Sequence, residues 1–189
     1  MDVSEASQIV LNATGHDYGN FYGGALSDQQ PLGVGQIFDN VRFPILDIDE
    51  LLYDTAEGLV YILTHECDIS SDNKRPYNDF AVICPIIQLD ACIGCLDKTL
   101  PSDVLISFLA RLGKDEISRV AYFPSIPDFL PNGGIVYLNQ ISHTHVNAFN
   151  SANAKRVTSL TTNGLRIIDY KLTNHLLRPK ATALSLLRY

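Results

Sequence analysis

The chain has 189 residues, of which 46% are hydrophobic, and its formal net charge is −7 at pH 7. This length and composition are typical of one globular domain with its own core, and they exclude an extensively disordered chain. No stretch approaches the roughly 18 consecutive apolar residues of a membrane span, and the acidic start lacks the basic region of a signal peptide. We therefore expect a cytoplasmic protein.

The charge is unevenly distributed along the chain. Seven basic residues and one acidic residue follow residue 154, whereas residues 1–154 carry seven basic and twenty acidic residues. Such asymmetry indicates that the C-terminal region meets a negatively charged surface. That surface is either the acidic body of the same chain or a binding partner, which would contact Lys155, Arg156 and Arg166. The acidic body itself would repel phosphates.

The first half of the chain predicts an arm followed by strands. Residues 1–33 are rich in Gly, Asn, Asp and Gln, so we expect an irregular N-terminal arm, followed by a single domain over residues 34–189. Alternating apolar residues predict a strand, or a bent pair of strands, in residues 35–46. The continuous apolar runs at residues 59–65 and 80–87 predict buried strands. The polar loop between them suggests that these strands pair antiparallel.

The second half alternates helices with short strands. Apolar residues at helical spacing predict an inserted helix over residues 100–112. Short strands follow around residues 120–123 and 135–141, and a C-terminal helix begins after Thr161 or Thr162. Short, closely spaced strands favour a small barrel over a βαβ sheet. The predicted fold class is therefore mainly β (α+β), a barrel-like domain with an inserted helix and a closing C-terminal helix.

One candidate site lies where the apolar run 59–65 ends. On a strand, His65 and Cys67 would point to the same face, so the imidazole could hold the thiol as a reactive thiolate. His65, Cys67 and Asp68 are thus candidate catalytic residues of a cysteine-dependent enzyme. The alternative interpretation is structural, with Cys67 as a small buried side chain and Asp68 as a turn former.

A second interpretation of the same region involves a metal. Cys92 and Cys95 form a C-x₂-C pair, which together with His65 and Cys67 would complete a tetrahedral zinc site. Without this site no cofactor is expected. The remaining cysteine, Cys84, lies inside the apolar run 80–87, and we expect it in the core.

Several separated segments resemble a family of poorly characterised bacterial and phage proteins. The segments are GQIFDNVRFP, LTHECDI (compared with the family's Ser/Thr-x-x-Cys-Asp-Ile/Leu motif), AVICPI, YFPSIPDFLPNGGIVYLNQIS and RVTSLTTNGLRIIDYKL. The early part also resembles the SH3-like barrel of the MazF/PemK toxins, which are endoribonucleases. Here GQI replaces their G-D-I/V and CPI replaces their A-P-I. The catalytic Arg and Ser/Thr of the toxins have no definite counterparts in this sequence, where Arg42 and Thr64 are the nearest candidates. The ribonuclease activity is therefore not transferred to this chain.

This resemblance implies an SH3-like, PemK-type barrel and a role in a bacterial or phage conflict system, whether defence, counter-defence or toxin–antitoxin. Three functional hypotheses follow. The first is an interaction module that binds a protein partner or nucleic acid through Lys155, Arg156 and Arg166. The second is a cysteine-dependent enzyme, and the third is a zinc-stabilised structural domain.

Overall fold

A computed structural model of the protein describes residues 1–47, 50–70 and 79–177. The described part contains five helices: α1 (Val3–Ala13), α2 (Glu66–Ile69), α3 (Leu89–Leu96), α4 (Ser102–Gly113) and α5 (Thr162–Leu172). It also contains seven strands: β1 (Gln36–Leu46), β2 (Tyr53–Ile62), β3 (Phe80–Gln88), β4 (Val120–Phe123), β5 (Gly134–Tyr137), β6 (Ser142–His145) and β7 (Lys155–Ser159). No helix in these ranges is long and apolar enough to cross a membrane.

All strands belong to one antiparallel sheet with the order β4-β5-β3-β2-β1-β7, and β6 also pairs with β3. The antiparallel pairing of β2 with β3 confirms the prediction for the two buried runs. The fold is mixed α/β rather than mainly β, because α1, α2 and α3 join the two predicted helices. Within the described residues the edge strands β4 and β7 do not pair, so the sheet is not closed and the predicted barrel is not confirmed.

Strand β6 is attached to β1 by side chains. The hydroxyl of Ser142 donates to the carbonyl oxygen of Pro44 at 2.8 Å, and the hydroxyl of Thr144 donates to that of Arg42 at 2.7 Å. Pro44 has no backbone N–H, so β1 offers no donor at this position. Side-chain hydroxyl groups of β6 therefore make the hydrogen bonds to β1 that backbone N–H groups make between paired strands.

The N-terminal segment contains a helix that its composition did not predict. Asp2 caps α1 by accepting a hydrogen bond from the Ser4 N–H, and α1 buries Ala6 and Val10. The contact with α4 is close, because a Cβ atom added at Gly113 would lie 2.2 Å from the Val10 carbonyl oxygen. Residues 3–13 are thus not irregular, whereas a domain boundary at residue 33 stays a prediction.

Residues 17–23 are hydrogen-bonded directly to residues 159–163. The Gly23 N–H donates to the carbonyl oxygen of Ser159 at 2.7 Å, and the Asn163 side chain donates to that of Asp17 at 2.9 Å. Thr161 caps α5 by accepting the Gly164 N–H at 3.1 Å, which confirms the predicted start of this helix. Residues 178–189, with the basic residues at positions 178, 180 and 188, lie outside the described residues, as does most of the predicted 70–79 loop.

Candidate functional site

The predicted catalytic residues do not lie on a strand. Strand β2 ends at Ile62, and His65 immediately precedes the one-turn helix α2, which contains Cys67 and Asp68. The prediction that His65 and Cys67 share one strand face is therefore wrong. All three side chains are exposed. A cysteine-dependent reaction at these residues stays a prediction.

Thr64 explains why the strand stops at this point. The backbone N–H of Leu63 still donates to the carbonyl oxygen of Val82 at 2.9 Å. One residue later the Thr64 hydroxyl, rather than a backbone carbonyl, accepts the Val82 N–H at 2.7 Å. A side chain that satisfies the neighbouring strand frees its own backbone to turn. The threonine of the LTHECDI segment therefore ends the strand.

Three of the four predicted zinc ligands lie on two helices, Cys67 on α2 and Cys92 and Cys95 on α3, and His65 precedes α2. Cys92 is buried and Cys95 is exposed, and both belong to α3 rather than to a turn. Burial raises the pKa of the Cys92 thiol, which opposes the thiolate that zinc requires. Among residues 1–47, 50–70 and 79–177, no three His, Cys, Asp or Glu side chains are grouped to hold a metal ion. A zinc site at His65, Cys67, Cys92 and Cys95 stays a prediction.

Cys84 occupies the core, as predicted. Its side chain is fully buried in β3, and this burial raises the pKa of its thiol to about 12.

The predicted basic contact residues have different environments. Lys155 and Arg166 are exposed, on β7 and α5 respectively. Arg156 is half-buried: its guanidinium stacks over the Phe38 ring, 5.2 Å from the centroid, and donates to the Gln30 carbonyl oxygen at 3.0 Å. Arg156 thus has a structural role in holding the N-terminal segment against β7, whereas contact of Lys155 and Arg166 with a partner stays a prediction.

A buried charged cluster links three distant segments. Lys171 on α5 is 2% exposed. Its ammonium group contacts a carboxylate oxygen of Asp115 at 2.9 Å and donates to the backbone oxygens of Asp115 and Ile117 at 3.3 and 3.0 Å. The other carboxylate oxygen of Asp115 bonds to Nε2 of His16. The three acceptors match the three donors of the Lys171 side chain, so Lys171 is a fully hydrogen-bonded structural group.

This cluster lines a cavity of about 410 Å³ together with Ser118, Tyr170 and Asn174. Local sequence patterns do not reveal this cluster, because its members are separated by 56 and 99 positions along the chain. One signal was present: Lys171 follows the buried residues Ile167 and Ile168 on the same helical face. A lysine on a buried face requires a buried partner.

Among the described residues, the most exposed large apolar side chains lie at the end of the β1–β2 hairpin. We call residues 44–47 and 50–55 the β-arm. Leu51, Leu52 and Tyr53 have exposed fractions of 74%, 62% and 77%. Ile45 and Leu46 are also exposed, although neighbouring strand residues point to opposite faces of a sheet. Both faces of the β-arm therefore carry exposed apolar side chains.

Acidic side chains surround these apolar residues. Asp47, Glu50 and Asp54 belong to the β-arm, and Glu57 follows it on β2. The basic residue at its base, Arg42, pairs with Glu57 at 2.9 Å. The β-arm thus presents an apolar and negatively charged surface.

Comparison of the chain with family models, with curated proteins and with solved structures finds no match.

Proposed function

We propose that this protein is an interaction module that binds another protein through the β-arm. The observation that carries the proposal is the exposure of Leu51, Leu52 and Tyr53 at the end of the hairpin. Contiguous exposed apolar side chains on a globular protein mark interaction surfaces. Tyrosine and leucine side chains gain the most from being covered, because they carry large apolar areas.

The charge around the β-arm favours a protein over nucleic acid. Asp47, Glu50 and Asp54 would repel a phosphate backbone, whereas a partner with basic side chains would be attracted. The proposal also includes a second contact region, formed by the exposed basic residues Lys155 and Arg166 of the C-terminal region.

The setting of the proposal comes from the sequence resemblance. Likeness to the MazF/PemK barrels favours a bacterial or phage conflict system in the cytoplasm. It also favours the interpretation of β1, β2, β3, β6 and β7 as an open variant of an SH3-like barrel. The hydroxyl contacts from β6 to β1 support this, since they bring these two strands side by side.

Site-specific photo-crosslinking in native host cells tests the proposal. Tyr53 is replaced with the photo-reactive residue p-benzoylphenylalanine, and Tyr170, an exposed tyrosine on α5, is replaced in the same way as a control. We expect a discrete crosslinked protein from position 53 and none of that mass from position 170. If the two positions give the same products, the β-arm is not the binding surface.

A second comparison tests the apolar contribution. The double variant Leu51→Ser, Leu52→Ser should reduce the crosslink at position 53 by at least about tenfold, because the apolar area that drives association is removed. The matched control, Val104→Ser with Ile106→Ser, removes two exposed apolar residues from α4 and should leave the crosslink unchanged. In the same assay, Lys155→Glu with Arg166→Glu measures the additional basic contact.

A further inference from the structure

Along the first half of β2, the outer edge, which faces away from β1, has no partner strand among residues 1–47, 50–70 and 79–177. Strand β3 pairs with β2 only at residues 60–62. The pairing of β3 with β2 ends at Pro85, and the residues that follow on β3 pair with β5 on the opposite side of β3. Among the described residues, no strand pairs with residues 53–57 on the side that faces away from β1.

The hydrogen-bond pattern identifies which backbone groups point outward. The Asp47 N–H donates to the carbonyl oxygen of Leu52 at 2.8 Å. Hydrogen-bonded and non-hydrogen-bonded pairs alternate in an antiparallel ladder. The backbone groups of Tyr53, Thr55 and Glu57 therefore point away from β1.

Hydrogen bonds of both neighbouring strands, β3 and β1, agree on which residues of β2 direct their backbone groups away from β1. At the other end of β2, the Leu63 N–H donates to β3, which places the odd-numbered residues of β2 on the outer side. On β1, Pro44 and Arg42 lie opposite Thr55 and Glu57, and their carbonyl oxygens accept the hydroxyl groups of β6. These oxygens thus also point away from the β1–β2 ladder.

One of the backbone N–H groups that point away from β1 already donates to an acidic side chain. The Asp54 carboxylate accepts the N–H of Thr55 at 2.6 Å. Charged residues on an edge strand are a device against unwanted strand pairing. A basic side chain on an incoming peptide would pair with Asp54 and release the Thr55 N–H for a backbone hydrogen bond.

We infer that the β-arm binds its partner by strand addition: an extended segment of another protein, with alternating basic and apolar residues, pairs with the outer edge of β2. This inference rests on the proposed function and adds its mode and the chemistry of the partner. Backbone hydrogen bonds to Tyr53, Thr55 and Glu57 provide the pairing. Contacts with the acidic and apolar residues of the β-arm determine which partner sequences bind.

The test uses the full chain labelled with ¹⁵N and a capped ten-residue peptide that alternates lysine with valine or threonine. NMR detects binding even at millimolar dissociation constants. We expect the amide signals of Tyr53, Thr55 and Glu57 to shift and the hydrogen exchange of these amides to slow. The same peptide N-methylated at every second residue should bind at least about tenfold more weakly, because two or more backbone hydrogen bonds are lost.

A pair of protein variants tests the edge directly. Thr55→Pro removes the outward N–H, and Pro44 already occupies the position directly opposite on β1. This variant should bind at least about tenfold more weakly, whereas the control Thr55→Ala, which keeps the N–H, should bind at least as well as the original chain. If Thr55→Pro does not fold, the N-methylated peptide decides the question alone.

Three results would overturn the inference. Absence of any shift at residues 53–57 would exclude strand addition, and so would equal binding of the N-methylated peptide. Equal binding of a peptide with glutamate in place of lysine would overturn the proposed partner chemistry. In each case a crosslink at position 53 that depends on Leu51 and Leu52 would still support the proposed function, so the two failures are distinguishable.

Discussion

Asp115→Asn should destabilise the protein strongly, because it leaves a buried ammonium group without its carboxylate. Lys171 is 2% exposed and the Asp115 side chain 11%, so solvent screens the pair weakly. Asparagine tolerates the left-handed backbone of Asp115, whose φ is 60°, so the substitution removes charge without straining the turn. Breaking a buried pair costs about 3–5 kcal/mol, and the two backbone acceptors that remain for Lys171 favour the lower end.

A loss of about 3 kcal/mol corresponds to a fall in Tm of roughly 6–12 °C for a chain of this length. Thermal and urea unfolding followed by circular dichroism would measure it. The double variant Asp115→Asn, Lys171→Met removes both charges and should recover most of the loss. Arg42→Gln is the control, since the exposed Arg42–Glu57 pair contributes at most about 1 kcal/mol. Equal effects of Asp115→Asn and Arg42→Gln would refute this account of the buried cluster.

Two further substitutions test the packing. Tyr61→Phe should stabilise the protein by about 1 kcal/mol, because the Tyr61 hydroxyl is buried and has no hydrogen-bond partner among the described residues; a lower urea midpoint for this variant would contradict the expectation. Gly113→Ala should destabilise by about 2 kcal/mol or more, since its Cβ would lie 2.2 Å from the Val10 carbonyl oxygen and force α1 away from α4. Gly94→Ala, at an exposed helical position with no atom within 4 Å of its Cβ, should not destabilise in the same melting experiment.

The sequence predicts those strands and helix ends that depend on only a few consecutive residues. The buried strand β4 was expected at residues 120–123 and lies there, and Thr161 caps α5 as one of two expected residues. Helices α1 and α3 were missed because their apolar faces are short and become clear only through contact with other elements. The strand end at Thr64 depends on Val82, which is 18 positions away. Such a hydrogen bond leaves no local pattern.

The same contrast between local sequence and distant contacts applies to the β-arm and to the buried charged cluster. The exposure of Leu51 and Leu52 depends on how far β3 follows β2, and β3 pairs with β2 only at residues 60–62. The contact between His16 and Asp115 likewise depends on where α1 places the residues that follow it. Residue types were visible in the sequence in both cases, but their neighbours were determined by tertiary packing.

The joining of residues 17–23 to residues 159–164 has a consequence for biosynthesis. Phe21 lies in the same buried cluster as Tyr61 and Phe123, so this segment contributes to the centre of the core. During translation its partners on β7 and α5 emerge from the ribosome some 140 residues later. Contacts between such distant segments slow folding, since a long loop must close before they form. The apolar strands β2 and β3 are therefore synthesised well before the segments that complete the core around them.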